Sequence, residues 1–153
     1  MLGRPSGDSY TTTGFDPTLT LPSPGNPFGN PAYPVRPHQP PSLLFRLRLH
    51  PHHAQGYTGG GGSNWIDVLT TKYNKSLVLA YNYAYGGATI DSALVAPYEP
   101  TVLSVKDQVA QFVNGAAAKP ASAPWTAANA MFSVWIGIND IGNSYYQSGD
   151  RGA

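Results

Sequence analysis

Two segments of the chain have the 3.6-residue hydrophobic period of an amphipathic helix. The first is residues 63–73, where Ser63 or Asn64 can cap the amino end. The second is residues 101–114, and Gly115 is placed to end it. One face of each helix is therefore expected to pack against a core. The residues on these faces are Trp65, Ile66, Leu69 and Tyr73 in the first segment and Val102, Val105, Val109, Phe112 and Val113 in the second.

Two short apolar runs alternate with these helices. Residues 77–81 and 130–136 are continuously apolar or nearly so, which is typical of strands buried on both faces. Helix, strand, helix and strand with short connections predict an open parallel α/β sheet. Residues 1–6 could add a preceding strand, but residues 4–6 interrupt the apolar run, so this segment is expected to form a poor one.

Glycine-rich or polar blocks follow the predicted strands. Ligands of open parallel sheets bind beyond the carboxyl ends of the strands, because these ends share one edge. Gly86 lies just past the first apolar run, and residues 137–140 lie just past the second. Ser9 would join them at this edge if residues 1–6 formed a strand.

Composition and charge exclude several classes of protein. The 153 residues correspond to at most one ordinary domain, and 17 glycines and 15 prolines predict long irregular loops. A formal net charge of +1 does not suggest a nucleic-acid or membrane-surface partner. The chain has no cysteine, so it has no disulfide framework.

Residues 35–62 differ in composition from the rest of the chain. They contain all four histidines and three arginines, no acidic residue, and the run Gly59–Gly62. This Pro-, His-, Arg- and Gly-rich stretch is expected to be an unstructured insertion. A phosphate-binding loop is not indicated, since the lysine and hydroxyl residue that complete such a loop are missing. The clustered histidines, His50, His52 and His53, have no predicted geometry for a metal.

Ser9, Gly86 and Asn139 together have the chemistry of an ester-hydrolysing site. A serine hydroxyl is a weak nucleophile until a base removes its proton. N–H donors stabilise the negative charge that develops on the attacked carbonyl oxygen, and losing one donor slows such reactions on the order of 100- to 1,000-fold. The donors here would be the backbone N–H groups of Ser9 and Gly86 and the side-chain amide of Asn139.

Each block taken alone has a simpler interpretation. Gly7–Ser9 is a common turn tripeptide, and Gly86–Gly87 is suited to a tight turn after a strand. Asn139 and Asp140 are suited to capping a helix. The catalytic interpretation depends on the order of the blocks and on their placement at strand ends.

The three blocks resemble the first, second and third blocks of the SGNH, or GDSL-type, hydrolases. Their fuller wording resembles the fungal secreted branch classed as carbohydrate esterase family 16, whose members remove acetyl groups from sugars. The resemblance covers residues 7–34 and 63–151. The matching segments are Gly7-Asp8-Ser9-Tyr10-Thr11, Gly25-Asn26-Pro27, Gly29-Asn30-Pro31, Asn64-Trp65-Ile66-Asp67, Tyr85-Gly86-Gly87-Ala88-Thr89 and Trp135-Ile136-Gly137-Ile138-Asn139-Asp140-Ile141-Gly142.

This resemblance implies a flavodoxin-like three-layer α/β/α fold with a parallel sheet, incomplete in this chain, within one partial domain over residues 1–153. It implies Ser9 as the nucleophile and Ser9, Gly86 and Asn139 as the oxyanion hole. Asp8, Gly87 and Asp140 are expected to be structural residues near the site. No metal and no cofactor are implied.

The family's last block, Asp-x-x-His, has no counterpart in the sequence. No histidine of the chain follows an aspartate by three residues, and all four lie in residues 35–62. Because that histidine is the base, we expect this chain alone to be nearly inactive. The alternatives are a non-catalytic carbohydrate-binding remnant and an unfolded gene-model fragment.

The resemblance also implies a substrate and a location. The expected partner is a small-molecule or oligosaccharide ester, with no nucleic acid and no membrane, and a folded chain is expected to be a monomer. Tyr10, Tyr85, Tyr145 and Tyr146 could flank a sugar. Secretion is implied for the parent family, and Asn74-Lys75-Ser76 is a glycosylation sequon that fits it. The amino end is too short and polar to read as a signal peptide.

Overall fold

The computed structural model of the chain describes residues 2–30 and 63–149. Within these ranges, three parallel strands form a sheet in the order β2-β1-β3. The predicted parallel α/β class is therefore confirmed. The elements are β1 (Leu2–Gly7), α1 (Trp65–Thr71), β2 (Leu79–Ala80), α2 (Val105–Asn114), a 3-10 turn (Ala116–Ala118), β3 (Ala130–Trp135) and α3 (Ile138–Ser144).

The amino-terminal segment is the central strand, so the prediction of a poor strand there is wrong. All six residues of β1 pair with β3, from Leu2 opposite Ala130 to Gly7 opposite Trp135. Pro5 cannot donate a backbone hydrogen bond, but its carbonyl accepts one from the N–H of Tyr83 at 2.9 Å. Pairing on both sides thus overrides the weak strand propensity of this segment.

The regular part of the second strand is shorter than predicted, but the chain continues beyond it in an extended conformation. Only Leu79–Ala80 are strand residues, and Leu77 is exposed rather than buried. Beyond them, the N–H groups of Tyr81, Tyr83 and Tyr85 donate to the carbonyls of alternate β1 residues at 2.9–3.0 Å. The chain therefore runs alongside β1 up to the residue before Gly86.

The two helices predicted from the sequence, α1 and α2, both begin with a capping box. Of the two predicted caps, Ser63 and Asn64, it is Asn64 that caps α1, and its side chain accepts from the N–H groups of Ile66 and Asp67. Ser104 caps α2, so this helix begins later than the predicted residue 101, and it ends at Gly115 as predicted. Each helix buries a narrower face than the pattern suggested. The residues of the predicted faces that are exposed are Leu69, Tyr73, Val109 and Val113.

The two faces of the sheet carry separate cores, because neighbouring strand residues point to opposite faces. Tyr83 belongs to the larger core, where its ring meets Phe112 of α2 edge-on at 6.3 Å between ring centroids. Ala80 belongs to the smaller core on the other face, together with Ile66 of α1. Helices therefore cover both faces of the parallel sheet, in the three layers expected.

The larger core encloses the guanidinium group of Arg4, which is only 3% exposed. Its central carbon lies 4.7 Å from the centroid of the Tyr81 ring, 5.3 Å from that of Phe112 and 5.4 Å from that of Trp125. Among the described residues, none of its three nitrogens has a hydrogen-bond partner. Burial lowers the pKa of the Arg4 guanidinium, while the nearby hydroxyl groups of Tyr83 and Tyr81 act in the opposite direction. A cation thus occupies a position in β1 where the pattern of the fold requires an apolar side chain.

The apolar run at 130–136 forms β3, but the prediction that this strand is buried is wrong. Phe132 is 50% exposed and Trp135 is 61% exposed. Phe132 packs edge-on against Phe112 at 5.4 Å on one face, and Trp135 lies 6.4 Å from Trp65 on the other. In the described part of the chain, β3 is an edge strand, so nothing covers the outer halves of these side chains.

The predicted insertion, residues 35–62, lies outside the described residues. Within the described ranges, no helix has the length and apolar character needed to cross a membrane.

Candidate active site

Ser9 lies in a tight turn directly after the central strand. The carbonyl of Asp8 accepts from the N–H groups of Thr11 at 3.1 Å and Thr12 at 2.9 Å, while Asp8 Oδ1 accepts from the N–H of Tyr10 at 3.0 Å. Asp8 is fully buried, and Ser9 is half-buried beside it. The hydrogen bonds of Asp8 therefore close the turn, and the serine remains partly accessible.

Side-chain amides hold the segment that follows Ser9. Nδ2 of the fully buried Asn82 donates to the carbonyl of Thr11 at 2.7 Å and to Thr13 Oγ1 at 3.0 Å. Nδ2 of Asn64, the cap of α1, donates to the carbonyl of Thr12 at 2.9 Å. This role of Asn82 was not predicted from the sequence. A signal was present, because an asparagine at the end of an apolar run must find buried partners.

The second block follows immediately where the extended segment leaves β1. The N–H of Tyr85 donates to the carbonyl of Gly7 at 3.0 Å, which brings Gly86 beside the Ser9 turn. Gly87 has a φ of 80°, and a Cβ atom there would overlap the ring of Tyr98. The predicted tight turn is present, closed by a hydrogen bond from the N–H of Ala88 to the carbonyl of Tyr85 at 3.1 Å.

The third block lies at the start of α3. Gly137 precedes the helix with a φ of 119°, and no side chain caps it, so Asn139 and Asp140 lie in the first turn rather than at the cap. Asn139 Nδ2 donates to the carbonyl of Ala88 at 2.8 Å. Asp140 Oδ1 accepts from the N–H of Ile90 at 2.9 Å. The third block is therefore hydrogen-bonded to the second.

These contacts bring the three predicted blocks to the carboxyl edge of the sheet. Gly7 is the common point, because it pairs with Trp135 of β3 and accepts from Tyr85 on the other side. The Asn139 amide has two N–H groups, and the bond to Ala88 uses one of them. Of the predicted aromatic residues, Tyr85 is half-buried, whereas Tyr10, Tyr145 and Tyr146 are exposed.

Two carboxyl groups lie beneath this edge. Burial raises the pKa of Asp8, and the nearby charge of Asp140 adds to the effect, against hydrogen bonds from the backbone N–H groups of Tyr10 and Asp8 itself. Asp8 Oδ2 and Asp140 Oδ2 are both buried without a hydrogen-bond partner among the described residues. Each carboxyl group thus uses one oxygen to accept from a backbone N–H and has its other oxygen buried without a partner among the described residues.

No described residue is a histidine, since the four histidines are at positions 38, 50, 52 and 53. The described residues also contain no cluster of three or more His, Cys, Asp or Glu side chains placed to hold a metal ion. The arrangement therefore offers a serine hydroxyl and several N–H donors, with a buried carboxylate beside them.

Gly7→Ala is expected to destabilise the chain by about 3 kcal/mol, because its Cβ would overlap the carbonyl oxygen of Trp135 and Gly7 has a φ of 154°. The measurement is urea unfolding followed by circular dichroism. Gly142→Ala is the matched control. Gly142 lies within α3 with nothing near its Cβ position, so alanine there should be neutral or stabilise by up to about 1 kcal/mol. Equal effects at the two positions would contradict the close packing of β1 and β3.

Comparison with known proteins gives two findings. The model of the GDSL-like lipase/acylhydrolase family matches residues 6–152. A curated protein named acetylesterase from Thermothelomyces thermophilus is 49% identical over 140 residues, which is 92% of this chain and 39% of that protein. The chain thus spans less than half the length of this relative. No solved structure matches the chain.

Proposed function

Because the chain belongs to the GDSL-like lipase/acylhydrolase family, we propose that it carries the nucleophile and oxyanion-binding part of an ester hydrolase. The proposed type is a carbohydrate O-acetyl esterase. The main support is the hydrogen-bonded arrangement of the Ser9 turn, the Gly86 turn and the amino end of α3 at one edge of the sheet. The 49% identity to an acetylesterase supports acetyl as the acyl group.

In this proposal, Ser9 Oγ attacks the carbonyl carbon of the acetyl ester. The new bond between Oγ and carbon moves a pair of carbonyl electrons onto oxygen, and the N–H groups of Ser9 and Gly86 and the free amide N–H of Asn139 bind that oxygen. When the carbonyl re-forms, the bond to the sugar oxygen breaks and the sugar leaves with a proton. Water then hydrolyses the acetyl-Ser9 intermediate to acetate.

The first step needs a base for the proton of Ser9. Asp8 is directed into the turn, where Oδ1 already accepts from Tyr10, so we assign it to the structure of the turn and not to proton transfer. No histidine lies among the described residues, and the sequence has no Asp-x-x-His segment. We therefore propose that these residues alone bind esters but react with them only slowly.

An oligosaccharide substrate and secretion are part of the same proposal. The exposed rings of Tyr10, Tyr145 and Tyr146 provide flat apolar surfaces of the kind on which sugar rings pack. Asn74 and Ser76 of the sequon are both exposed, so the site is accessible to glycosylation.

The test is covalent labelling of Ser9 by a fluorophosphonate, followed by mass spectrometry of the digested chain. Because the described residues supply no base, we expect slow labelling of one site per chain, Ser9, and none in Ser9→Ala. Ser6→Ala is the matched control, since Ser6 is a half-buried serine of β1 that the proposal does not use. Labelling spread over several serines, or unchanged in Ser9→Ala, would refute the assignment of the nucleophile.

A further inference from the structure

A glutamine of α2 contacts the backbone immediately before the Ser9 turn. Gln108 is fully buried. Its Oε1 accepts from the N–H of Gly7 at 2.9 Å, and its Nε2 donates to the carbonyl of Gly7 at 2.8 Å and to that of Leu103 at 3.1 Å. The side-chain amide thus binds both polar groups of a single backbone residue, as a neighbouring strand would.

This arrangement is specific to a glutamine. Burying an amide without partners is costly, so the side chain is retained only where its oxygen and nitrogen are both satisfied. A methionine of similar length would leave the N–H of Gly7 without its partner. A glutamate has two acceptors when ionised, so it would set a carboxylate oxygen against the Gly7 carbonyl.

The same helix also contacts the second block. At the amino end of α2, the N–H of Val105 donates to the carbonyl of Thr89 at 2.9 Å, and the N–H of Lys106 donates to that of Ile90 at 3.2 Å. Ile90 in turn donates its N–H to Asp140. One helix therefore holds the Gly7 end of the nucleophile turn and the loop to which the third block is bound.

We propose that Gln108 is a positioning residue for Ser9. By fixing the peptide groups on both sides of Gly7, it sets the direction in which the chain enters the turn, and so the direction of the Ser9 N–H and hydroxyl two residues later. This inference rests on the proposed role of Ser9 as nucleophile. Gln108 itself does not touch the reacting atoms, so its effect is on the rate of reaction and not on the binding of the ester.

The variants are Gln108→Met and Gln108→Glu in the full chain, with Gln111→Met and Gln111→Glu as matched controls. Gln111 is half-buried on the same helix, one turn further on, and makes no hydrogen bond with Gly7. Three quantities are measured for each variant: the maximal rate and half-saturation concentration for fluorophosphonate labelling of Ser9, hydrogen exchange at the Gly7 and Ser9 amides by NMR, and the thermal midpoint.

For Gln108→Met, we expect the maximal labelling rate to fall about 10- to 100-fold, because small displacements of a reacting group have effects of this size. The half-saturation concentration should be unchanged. The Gly7 amide should exchange at least about 10-fold faster, and the Gln111 variants should match the parent chain in all three measurements.

Gln108→Glu supplies a pH-dependent test. A buried carboxyl group has a raised pKa, and its protonated form has one O–H donor and one carbonyl acceptor, like the amide it replaces. The ratio of its labelling rate to that of the parent chain should therefore rise as the pH falls. A residue that only supports the fold would change the thermal midpoint without this recovery of rate.

The proposal is overturned if Gln108→Met lowers the thermal midpoint but leaves both the labelling rate and the Gly7 amide exchange unchanged. If the methionine variant does not fold, the pH dependence of Gln108→Glu decides, and a flat ratio overturns it. If Ser9 of the parent chain is not labelled even when imidazole is supplied as an external base, the proposed function fails. The amide exchange of Gly7 and Ser9 then still tests the positioning role, which unchanged exchange in Gln108→Met would overturn.

Discussion

Arg4→Met is expected to stabilise the chain by about 2–4 kcal/mol, which is the upper range found when buried charges are replaced by apolar side chains of similar volume. For a chain of this size, the thermal midpoint should rise by roughly 10 °C. The guanidinium of Arg4 is buried among three aromatic rings without a hydrogen-bond partner among the described residues. Desolvating a charge costs several kcal/mol, and cation–π contact returns on the order of 2 kcal/mol, so the net effect is destabilising.

Methionine suits this position because it has nearly the length of arginine and its sulfur makes favourable contacts with aromatic rings. The measurement is thermal and urea unfolding, with an unchanged urea slope as the check that the unfolded state is the same. Lys119→Met is the matched control: its ammonium lies 4.7 Å from the centroid of the same Trp125 ring but is exposed. That change should stay within about 0.5 kcal/mol. A loss of stability in Arg4→Met would show that the cation–π contacts outweigh desolvation.

The second large effect concerns turnover. The chain should hydrolyse p-nitrophenyl acetate with a kcat on the order of a million-fold below that of a complete serine hydrolase, because removing the base of such an enzyme has an effect of this size. Acceleration of roughly 1,000- to 10,000-fold over water should remain, supplied by the oxyanion donors and by binding. This residual activity should fall about 100- to 1,000-fold in Asn139→Ala, which removes one of the three proposed donors.

Free imidazole provides the decisive measurement, since it can act as an external base for Ser9. We expect the rate to increase linearly with imidazole concentration in the parent chain. Ser9→Ala gives the background reaction of imidazole with the ester, which is subtracted at each concentration. A parent chain that is fast without imidazole would show that another group of the chain acts as the base.

The sequence alone predicts those features that depend only on neighbouring residues, such as the ends of helices. The cap of α1 at Ser63 or Asn64 and the end of α2 at Gly115 follow from chemistry within one turn, and the structure has Asn64 and Gly115 at these positions. The central strand could not be predicted in this way. Arg4 and Pro5 are unfavourable in a strand by themselves, and the residues that override them, in the extended segment and in β3, are distant in sequence. Burial of β3 was mispredicted for a related reason, since an apolar strand is buried only if other elements cover it.

The candidate site was likewise predicted only in part. Gly86 and Asn139 were placed at one edge because they follow predicted strands, and parallel strands end at one edge. Ser9 was joined to them only by the family resemblance, since the strand before it was expected to be poor. The residues that hold the blocks together, Gln108 and Asn82, were missed. Each acts on backbone groups from a distant element, and no local spacing marks such a contact. Their sequence positions, among residues expected to be buried, are all that distinguishes Gln108 and Asn82 from other polar residues.

The strand order also determines when the sheet can form during synthesis. β1 is translated first, yet it lies in the centre, and its partner β3 lies near the opposite end of the described chain. Bringing such distant segments together carries a loop-closure cost before any pairing is gained, which slows folding. On the ribosome, β1 therefore emerges long before its partner, and the pairing of β1 with β3 can form only after nearly the whole described chain has left the exit tunnel. Until then, the Ser9 turn lacks the strand pairing that holds it at the edge of the sheet.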